Sequence, residues 1–350
     1  MNRQILRSKE PLVLECPFEL LSEVTPNDLF YVRNHFPPPN FSRENYVLKM
    51  GGTVKNPLEL TYADLLAMPS QTVSATLECA GNNRTFLVPQ AKGVQWGLGG
   101  ISTAEWTGVS LATVLEQAGI NPETVDLVFE GGDKGEAPEE PKPLGELYFS
   151  RSLPLSKALE QGVLLAYAMN GEELTVAHGA PLRLIVPGWY AVASVKWLTR
   201  ITAINHTFQG YFQTVDYGFW DKSDGEPIRK PITEMLVKAL IAHPQMHENV
   251  PANTEYLISG AAWSGSAIVT KVEVSTDHGA TWNLATITTE PSTSVWCMRN
   301  YAWQTPANPG NRVLLARATD AKGNTQLFEH DYNRHAYMIN FCFPIAVSVR

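Results

Sequence analysis

Hydrophobic and polar positions follow two different rhythms along the chain. Between residues 46 and 221 short β-rich runs are interleaved with short helical ones. Alternation predicts strands at 47–50 and 74–77, and apolar stripes at helical spacing predict helices at 61–68 and 111–118, with Thr61 and Ser110 as caps. Apolar runs at 164–169, 182–186 and 195–204 predict buried strands that extend the same sheet, separated by turns at Asn170-Gly171 and Pro187-Gly188. Beyond Pro227 the helical stripe disappears. Alternating runs at 256–262, 267–275, 281–288 and 312–319, broken at Ser264-Gly265, Asp277-His278-Gly279 and 320–324, predict a β-sandwich of roughly 120 residues.

Punctuation between these runs sets the organisation. The first forty residues are rich in proline and polar residues and end in His35-Phe36-Pro37-Pro38-Pro39, a sequence barred from helix and central strand, so they predict an extended arm laid over a core. Glycine, proline and acidic residues at 131–145 predict a surface loop long enough to cover a site, and the polar stretch 221–227 predicts a domain boundary. The expectation is a fold of α+β class: a mixed α/β domain over 1–225 followed by an immunoglobulin-like sandwich over 226–350.

Composition then narrows the function. The chain has 350 residues and a formal net charge of −8, so its overall field repels nucleic acid and anionic lipid, and an anionic substrate needs a local basic pocket. No apolar run approaches the roughly 20 residues that span a bilayer. The first twenty residues show no secretory core and no twin arginine; with Met1 as the start, the chain is expected in the cytoplasm, or in the periplasm where a leader has been removed. Cys16, Cys79, Cys297 and Cys342 are too scattered for a disulfide framework, a zinc ribbon or a CxxCH haem attachment.

Among them Cys79 stands out. In Thr76-Leu77-Glu78-Cys79-Ala80-Gly81-Asn82-Asn83-Arg84 a β-run delivers a cysteine into a turn of small residues, with a guanidinium five positions on. Small neighbours leave the sulfur uncrowded, and a nearby cation favours thiolate, the form that ligates metals. The alternatives are an inert buried thiol or a nucleophile activated by a histidine such as His178. His243 and His247 are spaced i, i+4, but Pro244 interrupts them and no third ligand is evident; Gly97-Leu98-Gly99-Gly100 reads as a turn. Cys16, Cys297 and Cys342 read as packing residues.

The Cys79 segment resembles the cysteine motif of the sulfite oxidase family, in which this sulfur binds the molybdenum of a pterin cofactor. Further segments occur in the family's order. Arg33, Asn34 and His35 are similar to its cofactor-binding arm. Lys92 to Trp96, followed by Gly100 to Trp106, is similar to the segment beside its substrate pocket, although the Cys79–Trp96 spacing is slightly shorter than in the animal enzymes. The stretches containing His178 and Arg183, and Ser194 and Lys196, resemble the strands that hold the pterin phosphate, for which Arg183 and Lys196 are sensible counter-charges. Phe212 to Tyr217 is similar to the segment supplying an active-site tyrosine, and Ser275 to Trp282 to a hairpin of the second domain. Arg334 is the one candidate for the family's second substrate arginine.

The resemblance implies a molybdenum-molybdopterin cofactor without a nucleotide, a homodimer formed through the second domain, and oxidation of sulfite to sulfate. Cys79 would ligate the metal, Arg84 and Arg334 would bind the oxyanion, and Trp96 and Tyr217 would shape the pocket. With no haem domain in the chain, electrons would pass to a separate acceptor, a cytochrome c-like protein or oxygen. Rival readings are a nitrate or S-oxide reductase on the same cofactor, a cysteine-nucleophile hydrolase, and a non-catalytic adhesion module.

Overall fold

Strand Ser70–Glu78, which ends one residue before Cys79, pairs antiparallel with Ile101–Ser110 along its whole length. A computed structural model of the chain describes residues 3–137, 140–222 and 225–350, and in it strands dominate; the α-helices among these residues are Tyr62–Ala67, Leu111–Ala118 and Leu155–Ala158. The first two lie within the predicted helical segments. Thr61 closes a capping box with Asp64, whereas the Ser110 side chain makes no cap bond.

The runs expected to extend one sheet divide between two. Leu164–Met169 joins Ile101–Ser110 and Ser70–Glu78, with Arg183–Ile185 on its other flank, while Leu198–Ile204 lies in a second sheet ordered Leu58–Thr61, Val47–Gly52, Leu198–Ile204, Asp126–Glu136, Glu146–Pro154. Continuous apolar sequence marks a strand as buried on both faces but says nothing about which sheet receives it. The turn at Asn170-Gly171 falls as expected, with both residues at positive φ between paired strands.

The loop expected at 131–145 is shorter than its composition suggests. Strand Asp126–Glu136 continues through Gly131-Gly132-Asp133, with a register shift between Glu130 and Lys134; Pro138 and Glu139 lie outside the described residues. The two glycines relieve crowding: a Cβ on Gly132 would sit 2.3 Å from the Phe41 ring, and one on Gly131 would sit 2.5 Å from Asp133 Oδ1. Glycine in a strand marks a bulge as readily as a turn.

The N-terminal arm builds a small sheet from Ile5–Ser8, Val13–Glu15 and Val32–Arg33, and buries Phe30, Tyr31 and Val32. In the expected linker 221–227, Ser223 and Asp224 lie outside the described residues, and the flanking strands Gly218–Asp221 and Ile228–Pro231 pair antiparallel. Beyond it, a sheet ordered Lys238–His243, Glu255–Trp263, Cys297–Gln304, Thr286–Ile287 shares a core with one ordered Asn249–Val250, Ile345–Val349, Gly310–Asp320, Val269–Ser275, Asn283–Leu284. The expected run 281–288 is thus two strands, one in each sheet. No helix among the described residues is long and apolar enough to cross a membrane.

Candidate active site

A cavity opens where the arm, the end of strand Ser70–Glu78 and the segment 176–197 meet. Cys79 forms part of its wall. The thiol is placed by its own backbone: Cys79 N–H donates to Gly100 O at 2.8 Å, and Asn82 N–H donates to Cys79 O at 2.8 Å. Asn83 takes a left-handed φ of 74° and starts a short helical turn over Arg84–Phe86. Gly81 is needed where it stands, since a Cβ there would fall 2.2 Å from Arg84 Nη2. The other cysteines are buried elsewhere, and burial pushes the thiols of Cys16, Cys297 and Cys342 up to about 12, 11 and 12.

The arm supplies Arg33, Asn34 and His35 to the same cavity. Segment 176–197 supplies His178, Arg183, Ser194 and Lys196. Arg183 Nη1 donates to His178 O at 2.8 Å, Nη2 donates to Ser194 O at 3.3 Å, and the guanidinium lies 4.8 Å from the Trp106 ring centre; Nε is buried without a partner among the described residues. Lys196 Nζ donates to Asn34 Oδ1 and to Ala177 O, and Ser194 Oγ accepts from Val186 N–H at 3.1 Å. Burial lowers Arg183 to about 10 and, together with Arg183, holds Lys196 well below its ordinary value. His178 is pushed down to about 4, by burial first and then by Arg183 and Lys196. These are cations kept without enough anions.

Tyr217 also lines the cavity, and its hydroxyl shares a 2.6 Å hydrogen bond with His35 Nε2. Burial raises Tyr217 and lowers His35 well below its usual value, so a neutral phenol faces a neutral imidazole. The Tyr217 ring packs at 4.9 Å and a tilt of 33° against Tyr337, whose hydroxyl donates to Asp216 Oδ1 at 2.7 Å.

Three expected site residues do not line this cavity. Arg84 directs Nε and Nη2 to Ala336 O and Nη1 to Val94 O, and its guanidinium lies 5.2 Å from the Tyr337 ring centre. Trp96 is fully buried, edge-on to Tyr31 at 5.7 Å, with its N–H unpartnered among the described residues. Arg334 pairs with Asp331 at 3.2 Å and donates to Asn340 Oδ1 at 3.0 Å. Sequence reasoning missed Asp133, a cavity residue whose Oδ1 is buried without a partner among the described residues and whose carboxyl is pushed up to about 7 by burial. The glycines around it read as loop.

The donor set fits an anionic, hydrogen-bonding cofactor that brings a metal to Cys79. Cys79 lines a cavity with the buried Arg183 and the half-buried Lys196 at the other wall, and the orphaned Arg183 Nε and Asp133 Oδ1 supply a donor and an acceptor. No group of three His, Cys, Asp or Glu among the described residues could hold a metal alone, so the metal's other ligands must come with it. His243 bonds Glu19 O instead.

A cysteine in the wall of a cavity lined by cations, built on a mainly β framework, is a setting suited to an anionic metal cofactor. Residues 35–212 match the model described as the oxidoreductase molybdopterin binding domain, and 229–350 match the Mo-co oxidoreductase dimerisation domain. The chain belongs to this molybdopterin-binding oxidoreductase family. It is 37% identical to the mitochondrial sulfite oxidase of Macaca fascicularis, over 92% of this chain and 61% of that protein. Against the sulfite oxidase of Gallus gallus the identity is 36%, over 92% and 72%. The NADH nitrate reductase of Cichorium intybus is more distant, 31% identical over 98% of this chain and 40% of the relative. The fold matches the sulfane dehydrogenase SoxCD from Paracoccus pantotrophus with a TM-score of 0.83 and 28% identity, covering 98% of this chain and 87% of that one. The chain spans about three fifths of the length of the mitochondrial relatives it matches.

Proposed function

We propose that the chain carries molybdenum-molybdopterin and oxidises sulfite to sulfate, passing two electrons to a separate acceptor. The observation that carries this reading is Cys79 on the wall of a cavity lined at its other side by the buried Arg183 and the half-buried Lys196. Arg183, Lys196 and Ser194 would hold the phosphate, whose two negative charges would favour the charged form of Lys196 against the burial that disfavours it. Asp133, Arg33, Asn34, His35 and His178 would seat the pterin, and Cys79 would hold the metal. When bound, the molybdenum centre supplies two-electron oxygen-atom transfer.

The chain's own contribution is charge, shape and proton handling. Tyr217, fixed by His35, places a hydroxyl at the cavity that can donate to a sulfite oxygen. Arg84 and Trp96 flank the cysteine turn. Because Arg84 already donates to carbonyls, its charge rather than its hydrogen bonds would draw the dianion in. Arg334 remains assigned to the substrate side, as a further positive charge on the C-terminal segment.

The same reading divides the chain at 225/226, supported by the second match beginning at 229, and makes residues 226–350 an immunoglobulin-like sandwich that joins two copies into a homodimer. The acceptor is a cytochrome c-like protein or oxygen, and the compartment is the cytoplasm, or the periplasm for a chain delivered with a leader. A second reading keeps the cofactor and changes the substrate to another reduced sulfur compound. It is favoured by the carbonyl-bound Arg84 and by the structural likeness to a sulfane dehydrogenase.

Metal analysis coupled to ferricyanide reduction tests both. About one molybdenum per chain with sulfite-dependent reduction supports the first reading; metal without sulfite turnover moves the substrate, and no metal from a cofactor-competent host removes both. Cys79→Ser is expected to abolish sulfite-dependent reduction nearly completely. Arg84→Gln is expected to raise KM at least roughly ten-fold with a smaller change in kcat.

A further inference from the structure

Glu78, the residue before Cys79, is fully buried, and three donors converge on its carboxylate. Lys238 Nζ donates to Oε1 at 2.5 Å, Asn82 Nδ2 to the same oxygen at 3.2 Å, and Trp263 Nε1 to Oε2 at 2.9 Å. Lys238 is itself fully buried and donates again to Asn83 Oδ1 at 3.0 Å. Its ammonium lies 5.7 Å from the Trp263 ring centre and 5.9 Å from that of Phe343. Lys238 and Trp263 are direct partners in neighbouring strands of the second domain, Lys238–His243 and Glu255–Trp263. That domain therefore grips the cysteine turn at both ends, Glu78 before the thiol and Asn83 after it.

Stability alone does not account for the arrangement. Two charges taken wholly out of water gain little over an apolar pair of the same volume, because desolvation offsets their attraction. What such a pair does provide is direction. A carboxylate with three donors at fixed angles sets the backbone at 78, and Asn83 is held at its left-handed φ of 74° while its Nδ2 donates to Gly97 O at 3.0 Å. Cys79 lies between two anchored residues.

We propose that Lys238 and Trp263 are positioning residues for Cys79: through Glu78 and Asn83, the domain matched as a dimerisation domain also fixes the direction in which the thiol enters the cavity. The consequence at the metal rests on the cofactor reading given above; the coupling itself does not.

Hydrogen exchange on the full chain measures the coupling directly. Trp263→Phe keeps an aromatic ring but removes the pyrrole half of the indole with its N–H, Lys238→Met nearly keeps the length and removes the charge, and the double variant Glu78→Gln/Lys238→Met removes both charges in case a lone buried carboxylate prevents folding. In each, amides of residues 79–84 are expected to exchange roughly ten-fold faster, about the protection lost with one hydrogen bond, while those of strand Asp126–Glu136 keep theirs. In the holoenzyme, Trp263→Phe is expected to lower kcat with KM unchanged and to shift the Mo(V) electron paramagnetic resonance spectrum. Unchanged exchange at 79–84 in Trp263→Phe and in the double variant would overturn the proposal, and so would an equal rise across the whole chain, which marks a scaffold. A parent protein that binds no molybdenum would sink the cofactor reading, yet the exchange data would still decide the coupling.

Discussion

Asp133 and Lys196 line one cavity without bonding each other among the described residues, and their electrostatics are opposite halves of one problem. Burial raises the Asp133 carboxyl from 3.8 to about 7, against the pull of Lys196. A carboxyl whose folded pKa is raised gives stability that is fully present below its ordinary value and lost as pH climbs towards 7. His178, lowered from 6.5 to about 4, works the other way, with stability lost as pH falls through that window. The parent's profile is a difference, and a variant separates it. In cofactor-free protein Asp133→Asn is expected to raise the urea unfolding free energy at pH 8, with a ceiling of about 4 kcal/mol for three pKa units, and to change it little near pH 4. An equal effect at both would mean that the carboxyl is not strained. Arg299 presents a second buried charge. Its Nη2 donates to Leu240 O at 3.0 Å, Nε and Nη1 find no partner among the described residues, and burial lowers it to about 10. Arg299→Met should leave urea stability unchanged or raise it by about 1–3 kcal/mol, and a clear loss would show the guanidinium to be paired or solvated.

Two turns read from sequence as simple punctuation, at Pro187-Gly188 and Ser264-Gly265, cross each other. Met235 N–H donates to Gly188 O at 2.9 Å and Gly265 N–H to Met235 O at 2.8 Å, and a Cβ on Gly265 would fall 1.9 Å from Gly188 O. Gly265→Ala should therefore cost about 3 kcal/mol or more by chemical denaturation. Gly171→Ala, at φ 76° with open space around it, should cost only about 1 kcal/mol. Equal costs would mean that the crossing yields. The contrast shows what sequence reading reaches. Alternation located Glu255–Trp263 and Gly310–Asp320 to within a few residues, because one face of each meets the core. It missed Lys238–His243, which is buried almost throughout, and Cys297–Gln304, where Arg299 interrupts the apolar positions. The cysteine turn was legible because its chemistry is local, whereas Arg183 and Lys196 taken alone read as ordinary strand-edge charges and were singled out only by the family resemblance. Asp133 was not, since glycines that make room for Phe41 look like loop glycines. Nor does sequence say which way Arg84 or Trp96 points.

At the scale of the molecule the field is the net charge of −8, and it makes the acceptor's identity testable through salt. Surface charges act over a Debye length of about 30 Å at 0.01 M ionic strength and about 8 Å at 0.15 M. Ferricyanide is a trianion and is repelled at low salt, so its reduction at saturating sulfite should speed up as ionic strength rises. A basic cytochrome c-like acceptor is attracted, and its second-order rate of reduction should fall steeply over the same range, by an order of magnitude or more where association limits the rate. Oxygen carries no charge and should show no trend. Stopped-flow reduction of each acceptor at 0.01 and 0.15 M salt separates the cases. Inverted slopes, falling for ferricyanide and rising for a basic cytochrome, would mean that electrons leave through a surface whose local charge differs in sign from the whole chain's, and would shift the search for the docking site from net charge to the exposed residues nearest the cavity.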